Sequence, residues 1–193
     1  MSTIYMIRHG QSVANERHVW GGDFPLTPNG RKQASNVTGL LPEVPDIIVA
    51  STLLRTRETA EMAFPNRMLV IDPAFDELAA GDLDLEPMTA EDWRMCKEDP
   101  ITFQLMHHGD DPAERAEKAM TRLRKYSEKY PVTAIFTSKA LMQSTFALMA
   151  GIPVKEAAMM QIGNCAVYRL APSTAGTFRI ETCAGKGDWR RAA

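Results

Sequence analysis

Short apolar runs alternate with helix-compatible segments through most of the chain. Residues 3–7 form a mostly apolar run of β type that stops at Arg8, His9 and Gly10, which indicates a buried strand that delivers its last residues to a loop. The same criteria predict further strands at 47–49, 68–71, 133–137, 165–170 and 177–182. Apolar spacing and breaker residues predict helices at 31–41, 53–64, 112–130 and 140–150. This alternation favours an α/β fold with a largely parallel sheet.

The pattern changes between Glu77 and Pro131, where acidic and polar residues are interspersed with prolines. This stretch ends in the predicted helix 112–130, whose charged residues recur at i,i+4 spacing. We interpret residues 78–131 as a cap or side wall inserted into a single domain that spans residues 1–193. The last two strands indicate a hairpin that finishes the sheet.

Composition and charge are those of an ordinary globular domain, with 45% hydrophobic and 24% charged residues in a chain of 193. The formal net charge of -2 provides no long-range field that would attract nucleic acid. The N-terminus has no signal-peptide pattern and no apolar run is long enough to cross a bilayer, so we expect a soluble, cytoplasmic protein. Cys96, Cys165 and Cys183 form no CxxC pair and are expected to be reduced thiols.

Arg8, His9 and Gly10 are the first candidates for chemistry, since open α/β sheets bind ligands at the carboxyl ends of their strands. A neutral imidazole can attack phosphorus, an adjacent guanidinium can bind phosphoryl oxygens, and glycine permits close backbone approach to an anion. These residue types suit phosphoryl transfer. Taken alone, however, a histidine at a strand end is more often a hydrogen-bonding partner than a nucleophile, so the surrounding sequence must decide.

Three segments indicate the role of His9, because they resemble the motifs of a known family. Residues 7–15 read IRHGQSVAN, residues 22–34 read GDFPLTPNGRKQA and residues 50–60 read ASTLLRTRETA. Together they resemble the motifs of the histidine phosphatase superfamily, whose members are similar to phosphoglycerate mutase. The resemblance implies a three-layer α/β/α sandwich with a mostly parallel central sheet and a site above the strand ends.

The resemblance also implies roles for the residues at these motif positions. His9 would take up the phosphoryl group as a covalent nucleophile, and Arg8 and Arg55 would clamp its oxygens. Without the motif, Arg55 would be interpreted as a solvated helix residue. The positions that the resemblance assigns to phosphate or substrate binding are Gly10, Gln11, Ser12, Asn15, Gly22 and Thr27.

A proton donor is implied by the segment FDELAAG at residues 75–81, which resembles the part of the family sequence that supplies a glutamate to the departing oxygen. Glu77 is the candidate for this role, and it must carry a proton before transfer. Asp76 and Glu86 are the alternatives. For both of these, a surface carboxylate is the simpler interpretation.

The chain departs from the family pattern after the strand predicted at 133–137. The resemblance predicts Ser-His-Gly there, whereas residues 138–140 read SKA, so Lys139 stands in the place of a second histidine. A lysine keeps the positive charge and can bind phosphate as a point charge, with altered transition-state geometry. His107 and His108 have no accompanying acidic or cysteine ligands at metal spacing, so we expect no metal and no cofactor.

The resemblance implies a phosphatase that hydrolyses phosphate monoesters, either small molecules or phosphoproteins, through a phosphohistidine at His9. Mutases of the family are generally longer, so mutase activity is the less favoured expectation. The alternative, motivated by Lys139, is a catalytically impaired member that binds a phosphorylated ligand or a protein as a regulatory module. The residues that would select a substrate lie in the segment 78–131, which carries no motif that identifies one.

Overall fold

The computed structural model describes residues 2–173 and 177–184. Its strands form one six-stranded sheet and are, in chain order, β1 (Thr3–Arg8), β2 (Ile47–Ala50), β3 (Leu69–Ile71), β4 (Val132–Thr137), β5 (Val167–Pro172) and β6 (Phe178–Ala184). Their order across the sheet is β3-β2-β4-β1-β5-β6. The first four strands are mutually parallel, whereas β5 is antiparallel to β1 and β6 is antiparallel to β5. The predicted α/β fold with a mostly parallel sheet is confirmed.

Helices cover both faces of this sheet. They are α1 (Val13–Arg17), α2 (Pro28–Ser35), α3 (Leu54–Ala63), α4 (Ala90–Glu98), α5 (Pro100–Met106), α6 (Pro112–Lys129), α7 (Lys139–Ala150) and α8 (Val154–Ala158). Strand β1 shows why the layers are three, because successive side chains of a strand point to opposite faces. Ile4 and Met6 pack with α6 and α7, whereas Tyr5 and Ile7 pack with α3.

The interval 78–131 divides into two parts with different positions. Helix α6 packs along α7 and contacts β1 and β4, and its residues Met120 and Leu123 are buried in the main core. Within the preceding residues, 78–111, Leu78 packs in the main core, whereas Ala80, Leu83 and Phe103 form a separate small cluster. Only this first part therefore stands outside the three layers, and α6 belongs to the sandwich itself.

The helix predicted at 31–41 differs from the observed one at both ends. Helix α2 begins at Pro28 because the Thr27 hydroxyl accepts the N–H of Gly30 (3.0 Å) as an N-cap. It ends at Ser35, and a separate 3-10 turn follows at Val37–Leu40. The helices α1, α4, α5 and α8 were not predicted, since each is at most nine residues long and carries little periodicity.

Two further sequence expectations concern membrane insertion and the state of the cysteines. Within the described ranges, no helix combines the length and the apolar character that a membrane crossing requires. The three cysteines form no disulfide: Cys165 is buried, Cys96 is half-buried and Cys183 is exposed.

Candidate active site

His9 lies at the carboxyl end of β1 and is held through its backbone on both sides. Its N–H donates to the carbonyl of Thr137 at the end of β4 (3.0 Å), and its carbonyl accepts the N–H of Cys165 just before β5 (3.3 Å). The residue is buried, with 3% of its surface exposed. Because both neighbouring strands of the sheet bond to it, His9 has a fixed position at the base of a cavity.

The imidazole of His9 is set up as a neutral base. Its Nδ1 lies 2.6 Å from the carbonyl oxygen of Gly10; a carbonyl only accepts, so Nδ1 carries the proton and Nε2 retains its lone pair. Burial and the nearby guanidinium groups of Arg8 and Arg55 lower the pKa of His9 well below its ordinary range. A neutral imidazole with a free ring nitrogen is the form that can attack an electrophile.

Arg8 and Arg55 flank the imidazole from two different elements. The Arg8 guanidinium donates to the carbonyl of Ile162 (2.6 Å), and that of Arg55 donates to the carbonyl of Gly22 (2.9 Å). Arg55 is in the first turn of α3, whose N-terminal Leu54 N–H is accepted by the Asp23 carboxylate (2.5 Å). Burial lowers the pKa of both arginines, yet guanidinium groups stay charged in proteins, so the site contains two anchored cations.

Glu77 joins this group from the loop after β3. One of its carboxylate oxygens accepts the N–H of Leu141 (3.0 Å) and the other accepts the N–H of Ala140 (3.2 Å). Glu77 therefore caps α7, which has no side-chain cap from its own N-terminal Ser138. Of the alternative acids, Asp76 is occupied by the backbone N–H (2.7 Å) and hydroxyl (2.9 Å) of Thr52.

Lys139 is the first residue of α7 and borders the same cavity. Burial is the main reason that its pKa is lowered, with a further contribution from Arg8, while Glu77 opposes the shift. Five residues that the resemblance assigned to catalysis therefore border one cavity. We call this set the charged floor: Arg8, His9, Arg55, Glu77 and Lys139.

Ser12 and Asn15 also border the cavity, where they organise the loop that carries His9. The Ser12 hydroxyl caps α1, and the Asn15 side-chain oxygen accepts the Ser12 N–H (3.1 Å). The same oxygen accepts from the side-chain amide of Asn164 (3.2 Å), which also donates to the carbonyl of His9 (3.1 Å). Asn164 had no assigned role in the sequence, since its partner residues are about 150 positions away.

Gly10 is not among the residues that line the cavity, and it packs against Gly30 in the first turn of α2. A Cβ atom at Gly10 would lie 2.6 Å from the carbonyl oxygen of Gly30, so backbone packing requires glycine here. The Gly10 N–H donates to the Thr59 hydroxyl (3.0 Å). This glycine allows the loop that carries His9 to touch α2, and the expectation that it also gives an anion close access to the backbone stays a prediction.

Gln11, Gly22 and Thr27 are likewise absent from the cavity lining. The Gln11 side-chain oxygen accepts from the Thr27 hydroxyl (2.8 Å) and from Asn29 (3.1 Å), and the Gly22 carbonyl holds Arg55. These contacts join the loops around the charged floor. The substrate-binding interpretation of these three residues stays a prediction, since the contacts described here are with neighbouring protein groups.

The cavity above the floor has a volume of about 350 Å³. Six of its apolar lining residues, here called the outer wall, are Trp20, Leu78, Trp93, Ile101, Val154 and Met159. Trp20 is held edge-to-face against Phe103 (5.8 Å between ring centroids). The sequence left open whether Trp20 lines the entrance or is simply exposed, and the structure places it in the lining of the cavity. The sequence gave no signal for Trp93, Ile101, Val154 or Met159.

The adjacent histidines of the wall segment do not reach this cavity. His107 stacks near Phe103 (4.8 Å between centroids), and His108 contacts the Asp82 carboxylate (2.6 Å), while neither lines the cavity. No cluster of three or more potential metal-ligating side chains occurs in the part of the chain that the structure describes.

The site and fold together define an α/β protein that presents a neutral imidazole between cations at its strand ends, an arrangement suited to binding an oxyanion. Residues 4–184 match the family model of the histidine phosphatase superfamily (branch 1). Because this match covers most of its length, the chain belongs to the histidine phosphatase superfamily.

Two curated proteins are similar to the chain over most of its length. A 6-phosphofructo-2-kinase/fructose-2,6-bisphosphatase of Caenorhabditis elegans is 30% identical over 179 residues, which are 88% of this chain and 39% of that protein. A fructose-2,6-bisphosphatase of Saccharomyces cerevisiae is 28% identical over 186 residues, covering 90% of this chain and 40% of that protein. The chain thus spans about two fifths of the length of these relatives.

Solved structures share the fold at lower identity. A phosphoserine phosphatase of Entamoeba histolytica, determined in complex with phosphoserine, superimposes with a TM-score of 0.80 at 19% identity. The match covers 95% of this chain and 98% of that chain. The three-layer architecture is therefore common to both proteins.

Proposed function

We propose that this chain is a phosphatase that hydrolyses phosphate monoesters through a phosphohistidine at His9. The observation that carries the proposal is a buried imidazole with its Nδ1 proton held by the Gly10 carbonyl, beside Arg8 and Arg55 at the base of a cavity. Family membership and the phosphatase names of the relatives support it.

In the first step, Nε2 of His9 attacks the phosphorus atom and the bond between phosphorus and the ester oxygen breaks. Arg8 and Arg55 neutralise the non-bridging oxygens, where negative charge accumulates. Glu77 gives its proton to the ester oxygen, so an alcohol leaves and the carboxylate remains. The carboxylate is then stabilised by the N–H groups of Ala140 and Leu141 that already bond to it.

In the second step, a water molecule attacks the phosphorus atom of the phosphohistidine. The Glu77 carboxylate takes the proton of this water, the bond between phosphorus and Nε2 breaks, and inorganic phosphate leaves. Glu77 is then protonated and His9 is again neutral, so the cycle closes without a metal ion or a cofactor.

Lys139 takes the role of the second family histidine in this proposal. Its position at the first turn of α7, on the same cavity as His9, supports a contact between the ammonium group and a phosphoryl oxygen. An ammonium is a point charge with three donors and therefore substitutes for the charge of an imidazolium, although not for its planar geometry. Ser12 and Asn15, which border the cavity, would complete the phosphate loop.

The chain functions as one domain in this proposal, and residues 78–111 form the part that selects the substrate. We propose a small-molecule phosphate monoester as that substrate, since the site lies inside a cavity of about 350 Å³, near the lower end of the size range of small-molecule sites. Nucleic acid is not a proposed partner.

Release of inorganic phosphate from a panel of alkyl and aryl phosphomonoesters, without added metal, tests the proposal. His9→Ala should abolish release, and His108→Ala, which changes an exposed histidine outside the cavity, should retain it. Rapid acid-free quenching should trap phosphate on His9 as an acid-labile, base-stable adduct. Folded protein that binds phosphate but releases none from any ester would favour the regulatory-module alternative instead.

A further inference from the structure

The charged side chains of the cavity are all in its floor. Among the lining residues whose side chains the structure describes, Arg8, Arg55 and Lys139 are the cations and Glu77 is the carboxylate. Three cations face one carboxyl group, and His9 is neutral, so the floor carries a net positive charge that is complementary to a phosphate dianion. The polar side chains that line the rest of the cavity, such as Gln104, are uncharged.

The outer wall offers apolar surface that the described residues leave partly exposed. Trp20, Trp93, Ile101 and Val154 are half-buried, and Met159 is 55% exposed. Partly exposed apolar side chains that converge on a cavity are typical of the surface that a ligand covers. The two indole rings supply flat faces, which favour contact with another ring.

The charged floor and the apolar outer wall both favour an uncharged leaving group on the substrate. A second phosphate, a carboxylate or an ammonium group next to the outer wall would lose water without gaining a partner of opposite charge, which is strongly unfavourable. An apolar group there would bury its own surface and that of the wall. The volume of about 350 Å³ leaves room for a phosphate and a group the size of one ring.

We infer that the site takes phosphate monoesters of uncharged, largely apolar alcohols that carry a ring or a short hydrocarbon chain, and that it discriminates against bisphosphates and phosphorylated amino acids. This inference rests on the proposed function, because it assumes that the phosphate occupies the charged floor. It assigns the outer wall as the subsite for the leaving group.

Binding of non-hydrolysable phosphonates tests the inference separately from turnover. Titration calorimetry on the whole chain would compare phenylethylphosphonate, butylphosphonate and butane bisphosphonate, with inorganic phosphate as the reference. We expect phenylethylphosphonate to bind at least about tenfold more tightly than the bisphosphonate, the size of effect that burial of one ring produces. Equal or tighter binding of the bisphosphonate would overturn the inference.

A charge placed in the wall should change this preference. Met159→Arg introduces a cation at an exposed position that borders the cavity, and it should reduce the preference about tenfold or reverse it in favour of the bisphosphonate. Leu148→Arg is the matched control, since Leu148 is 45% exposed on α7 and does not border the cavity. An equal change in both variants would indicate long-range charge rather than a subsite, and would also overturn the inference.

Hydrolysis of the corresponding esters, phenylethyl phosphate and butanediol bisphosphate, separates the two proposals. Selective phosphonate binding without hydrolysis of either ester would reject the phosphatase and keep the subsite. Hydrolysis of both esters with similar kcat/KM, together with unselective phosphonate binding, would keep the phosphatase and reject the subsite.

Discussion

The charged floor and the outer wall belong to one cavity but are held by different means. In the floor, residues far apart in sequence bond to one another, as His9 does to Thr137 and Glu77 to Leu141. Half of the wall residues, Leu78, Trp93 and Ile101, lie in residues 78–111. Among the described side chains of this stretch, Ala80, Leu83 and Phe103 form a small buried apolar cluster. The comparison teaches that the sheet fixes the chemistry, whereas a small local unit shapes what lies next to it.

If this division is correct, substitutions in the floor should reduce turnover of every ester alike, and substitutions in the wall should change the ranking of esters. Each one either separates the two regions further or shows that they are not independent.

The largest effect is expected for Arg55→Ala. It removes a buried cation that contacts Gly22 and, in our proposal, clamps the transferred phosphoryl group, so kcat/KM should fall about 1,000-fold. The fall should be equal for phenylethyl phosphate and butyl phosphate in steady-state assays. Arg124→Ala, an exposed arginine on α6, is the matched control and should retain activity. A loss confined to one ester would show that Arg55 contributes to selection.

Lys139→Met should lower kcat about 100-fold, the cost that is typical for removal of one charged donor from a transition state. Because burial and Arg8 lower the pKa of Lys139, the ammonium loses its proton as pH rises through a range below that of an ordinary lysine. The wild-type pH profile should therefore fall on the alkaline side, and this fall should be absent in Lys139→Met. The control is the exposed Lys125→Met. An unchanged kcat in Lys139→Met would show that Lys139 does not stabilise the transition state.

Gly30→Ala should destabilise the packing of α2 against the loop that follows His9. A Cβ atom at Gly30 would overlap the backbone of Gln11, and forced overpacking of this kind costs about 1–3 kcal/mol. The free energy of unfolding can be measured in urea. Gly39→Ala is the matched control, because a Cβ atom there meets nothing within 4 Å. Equal stability of the two variants would contradict this close packing.

Trp93→Ala should affect the wall alone. We expect phenylethylphosphonate to bind about tenfold more weakly, which is the contribution of one buried ring contact, and inorganic phosphate to bind as in the wild type. Met106→Ala, which changes an exposed side chain outside the cavity, controls for effects on the local helices. Weaker binding of phosphate itself would show that the wall supports the floor.

The smallest effect is a pH dependence of stability that distinguishes a buried histidine from an exposed one. Since the pKa of His9 is lowered in the folded state, the unfolded chain takes up a proton near the ordinary value of about 6.5 that the folded chain does not. Stability is therefore lost as pH falls below about 6.5, by at most about 1.4 kcal/mol per pH unit. His9→Gln should abolish this component and His108→Gln should keep it, as measured by urea unfolding between pH 7 and pH 5. Parallel curves for the wild type and His9→Gln would contradict the prediction.

The sequence predicted the floor better than the wall, and the reason is physical. The floor residues follow strands or begin helices, where apolar runs and breaker residues mark the position of each one; His9 after β1 and Arg55 at the start of α3 are examples. Residues such as Trp93 and Ile101 lie on the short helices α4 and α5, which carry too few turns to show a clear period. Their place in the cavity depends on how these helices pack.

Glycines and amides illustrate a second limit. Gly10 and Gln11 belong to the motif that identifies the phosphate loop, yet the Gly10 N–H donates to Thr59 of α3 and the Gln11 side-chain oxygen accepts from Thr27, the N-cap of α2. A motif records that a residue type is required at a position, and it does not distinguish contact with a ligand from contact with a loop. Asn164 shows that a residue without a recognised motif can also support the site. It bonds to His9 and Asn15, which are 149 positions or more away, and no local sequence pattern predicts a contact over that distance.

Thr137 has a consequence for how the protein fluctuates. Its carbonyl accepts the N–H of His9, and its hydroxyl donates to the carbonyl of Phe75 (2.6 Å), so one fully buried residue ties together the ends of β1 and β4 and the loop that carries Glu77. Amide hydrogens protected in this way exchange with deuterium only when the whole domain opens, whereas locally folded segments open at a lower free energy. On gentle warming, the pocket should therefore lose its ability to distinguish one ester from another before it loses its nucleophile.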